Sequence, residues 1–483
     1  MKISVLRTIA KTKLLYRNIR SAIRASLSVT QGSSDTRHRW KDARIERTSQ
    51  TFTEFDRKKL MAQSRLESRE NPHCMGMVNG LVRGAIGQGA KIQICTDDDL
   101  FNNHVENLWS EYSHFSQFSE SVRQAVWSLI VNGEAFVQWA YNPHNPVWPI
   151  HPELLDPFRI DSPAGIVDTK EMREGIRYDQ YLYPVEYFVL RLPEYATSFY
   201  NAADGEWLPS DQIVHLFEKV FPEQERGYSW LMSSLETLGR MRDYEDAALE
   251  QAKIAASIVA TISPKYGFGG ETNIAYPEKY DYYCGEGMPV KRNTFIQLPP
   301  ETTFNSFTPG QPISSHEAFI KTEATNAGFG LGLPRSKATG STAEYNFASG
   351  KLDDRPFEIL TKIIQEKVEY QLYHVAIKNM YLWNLPEILE RFPQAPEPKY
   401  LPRKLCWQQQ TPIDPHKAAL ADDIRIKNGT ALRKDIIERD GGNFSYFQKQ
   451  YEVERAIFGI PEIPTPEMPP IPLDDAETKG EEP

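Results

Sequence analysis

Apolar residues recur at helical spacing in the stretch that leads up to residue 133. The pattern predicts helix over 54–86 with a break where Asn71 precedes Pro72, because a residue before proline disfavours helical geometry. Two further helices are predicted over 101–130. The second ends at the Asn-Gly pair at 132–133, a dipeptide typical of helix ends. This part of the chain is therefore predicted to form a helical layer.

Strand patterns follow the helical stretch. Aromatic and β-branched residues dominate Glu134–Tyr141, and similar patterns occur over Tyr181–Leu192 and Ile213–Val220. Six prolines within 143–163 indicate loops and edge strands, since proline cannot donate a hydrogen bond to a sheet. Helices and strands do not alternate as βαβ units. The pattern therefore predicts an α+β domain over 1–225.

Long helices and proline-rich connections make up most of the remaining chain. Helical spacing runs over Arg226–Ser263, and a third long helix is predicted over 354–383. Seven prolines in 386–415 indicate a linker, and a small helical unit is predicted over 416–459. The tail at 461–483 is rich in proline and acidic residues, which favours disorder.

A different composition separates the first two long helices. Residues 264–312 are rich in glycine, proline and tyrosine, with strand-like pieces at Phe295–Pro300 and Thr302–Pro309. A helix is then predicted to open at Ser314, because Glu317 stands three residues later in a capping-box pattern. Two helices are thus predicted to flank an inserted strand-turn-strand segment.

The charge distribution limits the partners of this chain. The 483 residues carry a net charge of −10, yet residues 1–50 carry 12 basic and three acidic residues. An acidic body argues against tight, nonspecific binding of nucleic acid, which needs clustered Lys and Arg, but it permits DNA to slide past. The basic start fits three interpretations: a solvated tail, an arm that binds nucleic acid or a partner, or a helix on a membrane surface.

No arrangement of residues in the sequence predicts an active site. Gly350-Lys351 is the nearest match to a phosphate-binding loop, but it lacks the first glycine and the Ser/Thr. Three histidines in apolar surroundings are interpreted as core or surface residues: His151, His215 and His374. The four cysteines form no CxxC pair, which predicts no disulfide framework or zinc site and favours synthesis in a reducing cytoplasm. We therefore expect no metal, no cofactor and no enzymatic activity.

Seven short segments occur in a fixed order between residues 60 and 455. They are Arg65–Gly89, Val131–Glu134, Gln224–Leu231, Asp243–Ala256, Ala327–Pro334, Tyr345–Lys351 and Ile413–Lys417. No segment is specific alone, but the ordered set resembles the portal proteins of tailed double-stranded DNA phages, of the lambda-like type. The chain departs from the family pattern at Ser229, where proline is usual, and at 340–351.

The resemblance implies a subunit of a ring, usually of twelve copies, with DNA passing along the axis. It implies an α+β wing, a two-helix stem, a small clip that contains β-structure and a helical crown. The implied boundaries are a basic arm at 1–49, the wing at 50–225, the stem helices at 226–263 and 313–330, the clip at 264–312, the channel loop at 331–350, the long wing helix at 351–385, the linker and crown at 386–460, and a disordered tail at 461–483.

The resemblance also implies site residues and partners. Arg335, Lys337 and Lys351 are candidates for transient contact with DNA phosphates at the channel loop, and Arg226 and Asp243 are candidates for ion pairs between subunits or at the stem base. The expected partners are further copies of the chain, double-stranded DNA, the large subunit of terminase, a head–tail adaptor, the major capsid protein and a scaffold. The expected location is the portal vertex of a virion. The alternatives are a nuclease or ATPase, and a peripheral scaffold or membrane-associated protein that uses the basic start.

Overall fold

The computed structural model describes residues 53–439 and 444–458, apart from 146, 167, 170, 193–199, 202, 258–259, 265–301, 307–312, 344 and 408–413. The predicted basic arm, the acidic tail and the piece at Phe295–Pro300 lie outside the described residues. The chain divides into two compact units. The major unit comprises the described residues of Met1–Glu236 and Thr325–Pro483, and the minor unit comprises those of Thr237–Ala324.

In the chain to residue 217 helices come first and strands follow, as the sequence predicts, except that an unpredicted strand, Lys91–Ile94, lies between two of the helices. The elements are α1 (Glu54–Glu70), α2 (Pro72–Ile86), β1 (Lys91–Ile94), α3 (Asp99–Phe115), α4 (Phe118–Asn132), β2 (Glu134–Tyr141), β3 (Ile150–Leu155), β4 (Met172–Arg173), β5 (Ile176–Tyr178), β6 (Pro184–Leu190), β7 (Gly205–Pro209) and β8 (Ile213–Phe217). The break between α1 and α2 falls at Asn71, whose side chain accepts hydrogen bonds from the first turn of α2, so the prediction there is confirmed.

Helices predominate after residue 230. A short 3₁₀ turn at Trp230–Ser233 leads into α5 (Leu235–Ser257), β9 (Ala260–Pro264), β10 (Thr302–Ser306), α6 (Ile313–Gly330), α7 (Arg335–Thr339), α8 (Phe347–Val368), a π-helical turn (Glu369–Tyr373), α9 (His374–Trp383), α10 (Leu385–Arg391), β11 (Arg403–Cys406), α11 (Pro415–Lys427), α12 (Arg433–Arg439) and α13 (Phe444–Phe458). No helix among the described residues is long and apolar enough to cross a membrane.

Small antiparallel sheets lie beside the helices of the major unit. Strand β2 is the centre of the order β3-β2-β8, and a second sheet has the order β4-β5-β6-β7. The two sheets share one hydrophobic cluster, which contains Phe136, Leu155, Ile160, Ile176, Tyr187, Val189 and Ile213. Every strand pair that the structure describes is antiparallel, in agreement with a mixed α+β architecture.

Contacts distant in sequence hold the late helices against the early ones. The Tyr373 ring packs edge-on against Phe118, with ring centroids 4.9 Å apart, and its hydroxyl accepts a hydrogen bond from the Ala90 N–H at 2.9 Å. Helix α8 approaches α2 so closely that a Cβ atom at Gly84 would lie 2.5 Å from the Phe357 ring. The sequence pattern identifies these helices but not their pairing.

The minor unit contains most of α5 and α6 with the strand pair between them. Strand β9 pairs antiparallel with β10, from Ala260 opposite Ser306 to Pro264 opposite Thr302. The Tyr244 ring lies 4.2 Å from the Phe319 ring, centroid to centroid, so it packs α5 against α6. The predicted strand around Thr302 is therefore confirmed within the described residues.

Two predicted helix boundaries are wrong. The helix predicted over Arg226–Ser263 is confined to Leu235–Ser257 and is followed by β9. The β-branched run in residues 258–262 favours a strand over a continued helix. The helix predicted to begin near residue 354 begins at Phe347, because Asn346 and Ser349 form a capping box.

Candidate functional site

Glu134 is the centre of a buried ion-pair cluster at the start of β2. It is fully buried, and its Oε1 accepts hydrogen bonds from Arg57 Nη1 at 3.0 Å and from Arg226 Nη2 at 2.7 Å. Its Oε2 lies 2.8 Å from Arg226 Nε, 3.2 Å from the Gly227 N–H and 3.1 Å from His215 Nε2. One carboxylate therefore joins α1, β2, β8 and the segment that leads to α5.

Arg226 forms its ion pair within its own chain. Only 2% of the residue is exposed, and its guanidinium also donates to the backbone carbonyls of Glu174 at 2.7 Å and Ile160 at 3.2 Å. It precedes α5 in the sequence, at the position expected for an ion pair at the base of that helix. The second candidate, Asp243, lies exposed on α5. A contact of either residue with another subunit remains a prediction.

Two neighbouring guanidiniums keep the Glu134 carboxylate ionised at the centre of the cluster. Burial alone would raise the pKa of Glu134, but the guanidiniums of Arg226 and Arg57 outweigh burial and hold that pKa well below its usual range. Burial lowers the pKa of His215, whose ring is stacked between Phe136 and Phe217 at centroid distances of 4.2 and 4.3 Å. His215 is a core histidine, as the sequence interpretation proposed.

The segment at 331–350, which is predicted to include the channel loop, is partly helical, and its role in a channel stays a prediction. Helix α7 occupies Arg335–Thr339 and packs through buried Ser336 and Ala338. The Ser336 N–H donates to Asp353 Oδ2 at 3.1 Å, which ties α7 to α8. Within this segment, residues 331–334, 340–343 and 345–346 lie outside the helices.

The three candidate cations lie on two consecutive helices. Arg335 is exposed on α7, and Lys351 is exposed near the start of α8. Lys337 is 39% exposed at its side chain, but its Nζ lies 3.0 Å from Asp354 Oδ1, so a carboxylate of the same chain partly balances its charge. Among the residues that the structure describes, no cluster of His, Cys, Asp and Glu could hold a metal ion.

Comparison with known proteins assigns the class. A family model described as phage portal protein, lambda family, matches residues 34–354. The match places the chain among structural proteins of phage virions. The chain belongs to the lambda family of phage portal proteins.

Three phage relatives agree with this assignment. The chain is 22% identical over 329 residues to a probable portal protein of Halomonas phage phiHAP-1, covering 65% of this chain and 61% of that protein. It is 22% identical over 183 residues to the portal protein of Escherichia phage N15, covering 34% of each chain. It is 23% identical over 179 residues to portal protein B of Escherichia phage lambda, covering 34% of this chain and 33% of that protein.

Similar solved structures come from gene transfer agent particles. A chain of the virion of a native particle is 15% identical with a TM-score of 0.44, covering 84% of this chain and 94% of that chain. A chain of the neck of an empty particle is 14% identical with a TM-score of 0.48, covering 80% and 94%. A chain of the neck of a native particle, computed with C12 symmetry, is 14% identical with a TM-score of 0.46, covering 81% and 95%.

Sequence reasoning missed the cluster around Glu134. A signal was present, because Glu134 is a charged residue directly before the apolar run Ala135–Val137, where an alternating exposed strand would show further polar residues. A charge in such a run requires a partner of opposite charge. Nothing in the sequence identifies Arg57 and Arg226 as those partners, which lie 77 and 92 residues away.

Proposed function

We propose that copies of this chain form a ring at one capsid vertex, through which double-stranded DNA is packaged and later ejected. The observation that carries the proposal is the match to the lambda-family portal model over residues 34–354. We further propose that the ring has twelve subunits and first binds the large subunit of terminase. In later steps it binds a head–tail adaptor, with the major capsid protein and a scaffold as neighbours at the vertex.

The arrangement of α5 and α6 supports a stem that ends in a clip. The start of α5 and the end of α6 lie close together in the major unit. There the hydroxyl of Ser234, which directly precedes α5, donates to the Ala327 carbonyl of α6 at 2.7 Å. Their other ends lead into the β9–β10 pair. A pair of helices that carries a small sheet is suited to extend a protein body toward a partner. We therefore assign α5 and α6 to the stem and the tract at 264–312 to the clip.

The proposed role requires DNA to pass without being held. The net charge of −10 suits such a channel, since a strongly basic wall would bind phosphates tightly. We propose that Arg335, Lys337 and Lys351 make brief phosphate contacts near the connection between α7 and α8. Such a protein acts by shape and charge, and the chemistry of packaging would then belong to a separate ATP-driven motor.

Electron microscopy of the purified chain tests the proposal. We expect closed rings with a central opening, and DNA-filled particles when the gene is supplied to a portal-deficient phage. Shortening the connection at 341–345 should leave rings intact and reduce packaged DNA; the buried residues of α7 make a longer deletion unsuitable. A protein that stays monomeric at high concentration, with no ring in particles, would contradict the proposal. Liposome binding that depends on the basic start would favour the peripheral membrane alternative.

A further inference from the structure

A cavity of about 250 Å³ lies in the major unit between the 3₁₀ turn that precedes α5, the end of α6 and helix α8. Its walls are largely apolar and include Leu129, Leu331, Leu360 and Ile364. Ile363 also lines the cavity and is 50% exposed, so the cavity is open to solvent on that side. We call this cavity the socket.

Two polar side chains, those of Glu218 and Lys367, interrupt the apolar lining of the socket. The Lys367 ammonium donates to the Phe217 carbonyl at 3.1 Å, which uses one of its three donors. A complementary occupant would combine an apolar body with a hydroxyl group, which can accept a hydrogen bond from Lys367 and donate one to the Glu218 carboxylate.

The same chain exposes side chains of that chemistry on the turn between β5 and β6. Tyr181, Leu182 and Tyr183 are 72%, 51% and 70% exposed, so none of them occupies the socket of its own chain. A tyrosine has an apolar ring and a hydroxyl that accepts a hydrogen bond. We call this turn, Asp179–Tyr183, the tyrosine knob.

The backbone fixes the tyrosine knob before any partner binds. The Asp179 carboxylate accepts hydrogen bonds from the backbone N–H groups of Tyr181 and Tyr183, both at 2.8 Å. Leu182 has a φ of +64°, a conformation that residues with a side chain rarely adopt. The Asp179 bonds hold this conformation and keep three large side chains in solvent. A rigid aromatic turn of this kind loses little conformational entropy on binding.

We propose that the tyrosine knob of one subunit inserts into the socket of the next. The occupant is a second copy of this chain, because a closed ring needs two different, complementary surfaces on each subunit, and the knob and the socket provide them. An exposed apolar stripe on α8, formed by Leu352, Ile359 and Ile363, leads to the socket and extends the surface that the neighbour covers. This inference rests on the proposed ring.

Photocrosslinking of the assembled full-length chain tests the inference. Tyr181 and Tyr183 are replaced, one at a time, by the photoreactive amino acid p-benzoylphenylalanine, which keeps the aromatic shape. Tyr400, which is 67% exposed, is the matched control position. After irradiation we expect dimers and higher ladders on denaturing gels from one or both knob positions. Mass spectrometry should place the adducts in peptides that contain Trp230, Leu360 or Ile363.

The outcomes separate this inference from the proposed function. Knob adducts within the socket peptides support the inference. Rings that are visible by microscopy but give no ladder above the Tyr400 control, or adducts on another surface, would overturn it and leave the ring proposal standing. If the photoreactive variants and the unmodified chain all fail to form rings, the proposed function fails, and the knob contact fails with it.

Discussion

Glu134 and Arg226 are both buried and are joined by two charge-assisted hydrogen bonds of 2.7 and 2.8 Å. The pair fixes the segment that leads to α5 against the start of β2. Its removal should therefore affect stability far more than a surface ion pair would.

We predict that Glu134→Gln destabilises the chain by about 3–5 kcal/mol, because it removes the buried carboxylate that Arg57 and Arg226 share and leaves them only the Glu174 carboxylate, at 2.8 Å from Arg57 and 4.0 Å from Arg226. Urea denaturation followed by circular dichroism measures the free energy of unfolding. The control is Asp204→Asn, which removes an exposed pair with Arg191 and should cost about 0–1 kcal/mol. If the two variants lost equal amounts of stability, the buried ion pairs would contribute no more than the exposed pair does.

The cluster also predicts how stability depends on pH. The folded-state pKa of His215 is lowered from 6.5, so the unfolded chain binds a proton first and stability begins to fall as pH drops below about 6.5. The folded-state pKa of Glu134 is also lowered, from 4.5, so its contribution is present above that pH and is lost on further acidification. Unfolding curves between pH 2 and 8 measure both effects.

A histidine variant isolates the first of these effects. His215→Gln keeps a side chain that donates to Glu134 but does not titrate, so the decline in stability between pH 6.5 and 5 should become shallower. The exposed His144 provides the control, and His144→Gln should leave the decline unchanged. A His215→Gln profile that matches the unmodified chain would exclude His215 as the source.

Two glycines of α2 should respond oppositely to alanine. Gly76 has no atom within 4 Å of the position of an added Cβ, so Gly76→Ala should stabilise the helix by about 1 kcal/mol. At Gly84 the added Cβ would lie 2.5 Å from the buried Phe357 ring, and overpacking should cost about 1–3 kcal/mol. Thermal unfolding of both variants measures the difference. A change in stability of the same sign at both positions would contradict the observed packing of α8 on α2.

The exposed cations near the proposed channel should affect the amount of DNA that is packaged and should not affect assembly of the ring. We predict that Arg335→Ala with Lys351→Ala leaves rings intact and lowers the amount of packaged DNA several-fold, since two phosphate contacts are lost. Lys337→Ala tests the third candidate, whose Nζ lies 3.0 Å from Asp354 Oδ1, and should also lower the amount of packaged DNA. Lys378→Ala, at an exposed position on α9, is the control. Normal packaging by the double variant would show that these two residues do not contact DNA in the proposed channel.

Part of the candidate site could be predicted from local sequence and part could not. The helix break at Asn71 and the strand Glu134–Tyr141 were predicted because capping residues and apolar patterning act over a few positions. The helical state of Arg335–Thr339 was not, because a five-residue helix has little propensity of its own and depends on its contacts with α2 and Asp353.

The sequence alone predicted most of the long helices, the strand Glu134–Tyr141, the mixed architecture and the resemblance to portal proteins, since periodicity, caps and short motifs are local properties of the chain. Only the tertiary structure decided that Glu134 meets Arg57 and Arg226, and that a cavity forms beside Trp230 and Lys367. These residues are far apart in sequence and are brought together by burial of apolar surface, which is non-directional and leaves no local pattern that identifies the partners.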